Sequence, residues 1–344
     1  MYLDSMRSSL ERSKNAHLVH TMATNTDRRR NNAPSGGTHA PVFSRTLREP
    51  EYLQTLRPTR TRGPNELRRI FLQTSIIPSA SGSAYLEIPS LSPSSSSTLI
   101  PPTSSLKITA SIQGPKPLPR SAPFSPSLLL TTTVKFAPFA TRHRRGYIRD
   151  STERDLGVHL ETALRGVIIG ERWPKSGVEV VITILEEDED GWWGDTHASG
   201  SGWGLLNVLA GCITVASAAI TDAGIDCVDM VCGGVAAIVR NPDSKLENDL
   251  LRVLDPCPAE HKQVIAACAV GYLASRDEVT EIWMKGDIGP DPDALIEGAT
   301  HAAVGSLAVV KEVLLEAVQA KFREESESGE GALKRKAQDV EMTG

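Results

Sequence analysis

The 344-residue sequence has no CxxC pair, no long uninterrupted apolar run and only 5% aromatic residues. Each shortage removes a class of protein. The five cysteines, Cys212, Cys227, Cys232, Cys257 and Cys268, are odd in number and sit mostly inside apolar runs, which argues for reduced thiols in a core. No stretch reaches the ~18 consecutive apolar residues of a membrane span. Met1 to Met22 holds Asp4 and Glu11 without a continuous apolar centre, so no secretion signal is expected there. Met22 stands directly before ATNTDRRR, so residues 1–21 also fit an upstream extension of the reading frame. His143, His159 and His197 lie in separate segments with no nucleophilic Ser or Cys motif beside them, which leaves a hydrolase triad unsupported. The glycines at 200, 202 and 204 have no following Lys-Ser/Thr, which removes a P-loop.

Charge is present but polarised. Residues 1–70 hold 13 Lys and Arg against 6 Asp and Glu, so the net charge of −5 conceals a basic leading segment on an acidic body. Such a segment suits a polyanion or an acidic partner, and equally a solvated arm. Residues 1–64 mix Ser, Asn, Arg, Pro and Gly with few aliphatics and are expected to be largely disordered. A single domain is expected over 65–322. A charged, disordered tail is expected over 323–344, where Lys334, Arg335 and Lys336 form a weak nuclear-import cue.

Within the domain, ELRRIFLQTSII and SASGSAYLEI predict two strands joined by small turn residues, and Leu106–Ile112 and Ser127–Phe136 predict two more, separated by a Ser/Pro-rich loop at 89–105. Together they predict a largely antiparallel first layer. Leu156, Leu160, Ala163, Leu164, Val167 and Ile168 then recur at helical spacing, with Asp150 or Thr152 as candidate cap. VEVVITIL is apolar on both faces and predicts an interior strand. The acidic, Gly-rich segment 186–204 is expected to be a solvated loop. After it come a helical stripe from Leu205 to Ile220, a buried strand VDMVCGGVAAIV, strands at Gln263–Tyr272 and Glu278–Met284, and a helix from Ala294 to about Phe322. Gly233 and Gly234 signal a bulge or a close backbone approach.

In that order these elements resemble the RNase PH fold, an α+β architecture of the ribosomal protein S5 domain 2-like β-α-β kind. Gly82, Ser83, Ala84 and Glu87 meet that family's Gly-Ser-Ala-x-x-Glu signature, and Ala163, Leu164 and Arg165 meet its Ala-Leu-Arg helix end. The runs DRRR, PSASGSAYLE, ITASIQGPKPLPR, RRGYIRD, ERDLGVHLETALRG and RWPKSGVEV are similar to the RNase PH-like subunits of the eukaryotic exosome core ring, of the fungal mRNA-transport-regulator type. The resemblance implies a hexameric ring with other RNase PH-like subunits, S1/KH cap proteins, single-stranded RNA threaded through it, RNA processing and degradation, and residence in nucleus, nucleolus and cytoplasm. It implies no membrane, no cofactor and no resident metal.

Active members of the family cleave RNA from its 3′ end with inorganic phosphate, a problem of anion binding and positioning. Their Asp-Gly-Gly-x-Arg-x-Ala element begins here at Asp190-Gly191 but runs into Trp192, and its arginine falls near Leu205, which cannot bind phosphate. A second phosphate arginine would fall near Thr152, with Arg149 and Arg154 beside it. Asp249 and Asp255 keep the spacing of a family aspartate pair, read either as a retained acid or metal site or as two loop carboxylates. The basic run Arg142, Arg144, Arg145, Arg149 and Arg154, with Tyr147 inside it, suits phosphate contacts and base stacking, and equally ion pairs at a subunit interface. The expectation is a non-catalytic structural and RNA-path subunit. The alternatives are an active phosphate-dependent 3′–5′ exoribonuclease using Asp249 and Asp255, and an RNase PH-fold protein outside any exosome.

Overall fold

The computed structural model describes residues 58–89, 105–141, 144–146, 148, 150–188, 190, 202–240, 250–261, 263–289 and 292–342, with side chains to 323. β1 (Phe71–Thr74), β2 (Gly82–Ile88), β3 (Leu106–Pro117), β4 (Leu129–Phe136) and β5 (Ser176–Glu186) form one sheet in the order β1-β2-β3-β5-β4. The first layer is antiparallel except at β4 and β5, which pair in parallel. A parallel pair needs a crossover, and α1 (Ser151–Arg165) supplies it. The interior strand predicted at VEVVITIL therefore joins the first layer, between β3 and β4.

Asp150 caps α1 in a capping box with Glu153, so of the two candidate caps the aspartate serves. Glu153 is buried, yet its carboxylate is satisfied, accepting from the backbone N–H groups of Phe136 and Asp150. One side chain thus starts the helix and ties it to the end of β4.

β6 (Val231–Arg240), β7 (Leu250–Leu254), β8 (Val264–Leu273) and β9 (Glu278–Gly286) form the second sheet, in the order β7-β6-β8-β9 and wholly antiparallel. The short β7 was not foreseen, because a polar segment precedes LLRVL and the run is too brief to show a period.

Between the sheets lies α2 (Gly204–Asp222), packed on β2 and β3 from one side and on β6 and β8 from the other. It was expected to show one apolar stripe. Instead nearly every residue from Leu206 to Ile220 is buried, as a helix covered on two faces requires. By length and mean hydropathy, 1.8, α2 would pass for a membrane span, but 89% of that window is buried within the protein.

α3 (Pro292–Met342) covers the other face of β6 and β8, closing a second core of Ala236, Leu254, Cys268, Val270, Leu295 and Ala299. Its helical backbone continues beyond the expected end at Phe322, through a segment rich in the strong helix formers Glu, Lys, Arg and Ala.

Gly233 and Gly234 mark close approach rather than a bulge, since the β6–β8 register runs unbroken through both. Successive residues of a strand face opposite ways. A Cβ on Gly233 would lie 2.2 Å from the Ala210 carbonyl oxygen of α2, and one on Gly234 would lie 2.1 Å from that of Ala299 on α3. Both helices are therefore seated on β6 by the absence of two side chains. We predict that Gly233→Ala lowers the unfolding free energy in urea by about 3 kcal/mol or prevents folding. Gly224→Ala, at φ +69 with open space around it, should cost only about 1 kcal/mol.

Candidate functional site

Of the residues expected to carry function, Asp255 lies where β5, β7 and the first turn of α2 converge. At the end of β7, Asp255 adopts a left-handed backbone, φ +47, that turns its carboxylate inward. There Arg68 reaches it through Nε at 2.9 and 3.1 Å, Nη2 at 2.8 Å and its own backbone N–H at 2.8 Å. Arg62 adds a bond at 3.0 Å and spans to Glu260, also at 3.0 Å. The other edge of Arg68 meets Asp188 at 2.9 Å, and both side chains are 1% exposed. Asn207, in the first turns of α2, donates to Asp188 and to the Pro256 carbonyl, both at 2.7 Å.

Burial of Asp255 would by itself raise its pKa, but the Arg68 and Arg62 guanidiniums outweigh that and hold it well below the usual carboxylate range. Burial would likewise depress Arg68, yet Asp188 and Asp255 raise it above its ordinary value. Both carboxylate oxygens of Asp255 are filled by N–H donors, so the residue is neither a solvated loop carboxylate nor an open metal ligand. Asp249, its proposed companion, lies outside the described residues.

The same contacts revise the leading segment. Order was expected from Asn65, whereas Arg60 already donates to the carbonyls of Gly63, Glu66 and Leu254 at 2.9 to 3.0 Å, and Arg62 is almost wholly buried. Guanidinium groups, with Leu67 packed on the second core, hold residues 60–68 down, so a hydrophobic-pattern reading passes over most of them. The only cue was three arginines, Arg60, Arg62 and Arg68, ahead of the first strand.

The acidic stretch at the end of β5 is not a solvated turn where it can be described. Glu186 accepts from Ser105 and pairs with Lys107 at 2.8 Å. Glu187 and Asp188 are buried. Asp190 accepts the backbone N–H of Gly204 at 3.0 Å, at the start of α2. Leu205, where the family's phosphate-binding arginine is expected, is in that same first turn and packs against the apolar core. Burial pushes the Glu187 carboxyl up to about 7, helped by Asp190 and Asp188 and opposed by Arg145. The first turn of α2 thus turns a leucine to the core and has a carboxylate on a helix N–H that an anion could otherwise use.

The basic run is split by the fold. Arg144 and Arg154 are exposed, the latter in the first turn of α1. Arg145 instead pairs with Glu187 at 3.1 Å and lies 3.8 Å over the Phe136 ring. Arg142, His143, Tyr147, Arg149 and His197 fall outside the described residues. His159 stacks on Trp283 with ring centroids 4.7 Å apart, and its Nδ1 lies 2.7 Å from Glu281, joining α1 to β9. Four of the five cysteines are buried and all are free, and burial raises the thiol pKa values of Cys212, Cys232 and Cys257.

Two sheets around a buried helix, with a β-α-β crossover, define an RNase PH fold. Residues 66–226 match the model of the 3′ exoribonuclease family, domain 1. A solved structure of rice (Oryza sativa) Rrp46 has the same fold, with a TM-score of 0.55 at 17% identity, covering 74% of this chain and 98% of that one. The chain is 48% identical over 298 residues to the exosome complex component MTR3 of Chaetomium thermophilum, spanning 85% of this chain and 99% of that protein. It is 30% identical over 234 residues to the exosome complex component mtr3 of Schizosaccharomyces pombe, covering 67% of this chain and 76% of that protein. The chain belongs to the RNase PH-like family of exosome complex components.

Removing Asp255 would leave two buried guanidiniums short of a partner, so Asp255→Ala should cost about 3–5 kcal/mol of unfolding free energy in urea at neutral pH. Because its folded pKa is depressed, this contribution is complete above the unfolded carboxyl value of about 4 and is lost as pH falls through the folded value. Glu187 has the opposite sign, with a folded pKa raised above the unfolded one. The folded state then holds the extra proton, and Glu187 costs stability as pH rises from about 4.5 to about 7. Glu187→Gln should therefore melt at a higher temperature than the parent protein at pH 8 and at the same temperature near pH 4.

Proposed function

We propose that the chain is a non-catalytic structural subunit of the exosome core ring, which supports 3′–5′ RNA processing without cleaving RNA itself. The carrying observation is the first turn of α2, where Leu205 stands at the phosphate-arginine position and Asp190 occupies the Gly204 N–H. Phosphorolysis needs fixed positive charge around an attacking anion. Around the start of α2 stand Asp190 and, from β9, Lys285 over the Trp203 ring, while the guanidiniums of Arg145 and Arg68 are already paired with Glu187 and Asp188.

Kinship with exosome components supports neighbours of the same RNase PH-like kind, and we extend it to S1/KH cap proteins above the ring and single-stranded RNA through it. Arg144 and Arg154, exposed on one connection and the helix turn that follows it, suit phosphates because guanidinium contacts of this kind need read no base. Whether Arg142, Tyr147 and Arg149 join them is part of the same proposal. Nucleus, nucleolus and cytoplasm are the compartments where such a complex would act.

Purified chain incubated with single-stranded RNA and inorganic phosphate should release no nucleoside diphosphate. Release that Asp255→Asn abolishes in a still-folded chain would instead establish the exoribonuclease reading. Affinity purification should recover RNase PH-like exosome subunits, and their absence would place the protein outside any exosome. Replacing Arg144 and Arg145 together with Ala should weaken RNA crosslinking to the assembled ring and flatten its salt dependence. Lost assembly with unchanged crosslinking in the remaining ring would assign these arginines to an interface.

A further inference from the structure

Arg145 is the one described member of the basic run that is not free, and its partner is unusual. Glu187 is 10% exposed in its side chain and bonds Arg145 through a single Nη2–Oε2 contact of 3.1 Å, while a quarter of the Arg145 side chain remains open to solvent. The guanidinium rests on the Phe136 ring, which fixes its stem and leaves its other edge reachable. The pair is also tied to the connection that follows β4, since the Glu187 N–H donates to the Ala140 carbonyl at 3.0 Å.

We propose that Arg145 is an RNA phosphate contact held in reserve by Glu187, so that the two anions compete for one guanidinium. This rests on the RNA-path reading above and adds its control. The groups facing Glu187 make the exchange protonic. From its own segment come Asp188 and Asp190, and from the β4–α1 connection comes Arg145. α2 contributes only the neutral Asn207, which bonds Asp188. Arg68 is taken up by Asp188 and Asp255, and Glu153 of α1 is committed to two backbone amides. A phosphate that draws Arg145 away leaves Glu187 buried beside two carboxylates with no cation of its own.

The carboxylate then takes one proton from solvent, and the phosphate keeps its charge against the freed guanidinium. With Arg145 in place Glu187 titrates at about 7, and losing Arg145 moves it higher. RNA binding is therefore accompanied by proton uptake, and affinity falls as pH rises.

The test uses the ring copurified with the full chain and a fluorescent single-stranded oligouridylate, titrated at pH 6 and pH 8 at constant ionic strength. The parent ring should bind about threefold more tightly at pH 6 than at pH 8. Glu187→Gln, which keeps the side-chain shape, should bind at pH 8 as the parent does at pH 6 and lose the pH difference. Arg145→Met, which keeps an apolar stem over Phe136, should bind weakly at both values with no pH difference. Arg144→Ala should weaken binding equally at both and keep the ratio. An unchanged pH ratio in Glu187→Gln, with Arg144→Ala still weakened, overturns the exchange and leaves the RNA path standing. Unchanged binding in both arginine variants overturns the path and the exchange together.

Discussion

The guanidinium of Arg68, held between Asp188 and Asp255, is the contact on which the rest of the structure turns. Asp188 follows β5 of the first sheet and Asp255 follows β7 of the second, so one buried cation fastens the two sheets at the end where α2 begins. Isolated in the interior, each of these charges would be expensive. Together, with Asn207 and Arg62 bonded to the two carboxylates, they form a network in which breaking any one member strands the others. That interdependence makes the cluster a poor place for chemistry, because a carboxylate saturated with N–H donors cannot also receive a metal or move a proton.

The same corner carries the reading of this chain as a non-catalytic member of the RNase PH fold. α2 begins where an anion could be received, and its first turn instead presents Leu205 to the core and Gly204 to Asp190. The protein's own Asp190 carboxylate takes up the Gly204 N–H that an external anion could otherwise use. Two close glycine contacts on β6 continue to seat α2 and α3, and neither depends on that chemistry. Helix seating is steric and phosphate binding is electrostatic, so a change in one need not disturb the other.

Much of the fold was legible residue by residue. Helical spacing in α1, the two-sided apolar run of β5 and the paired glycines of β6 each have one dominant local cause. The site was less legible. Glu187 and Asp188 sit in a run of acidic residues that locally looks solvated, and they are buried only because Arg145 and Arg68 arrive from elsewhere in the chain. Arg145 itself was indistinguishable from Arg144 in sequence, yet one faces solvent and the other a carboxylate 42 positions away.

What the sequence determined alone was therefore periodicity and the order of elements, which are properties of near neighbours along the chain. Tertiary structure decided that β5 enters the first sheet between β3 and β4, that α2 is buried on every side, and that the leading arginines clasp Asp255. The reason is physical: whether a charge is solvated, paired or buried depends on partners 187 or 193 residues distant, and no local pattern encodes a partner that far away.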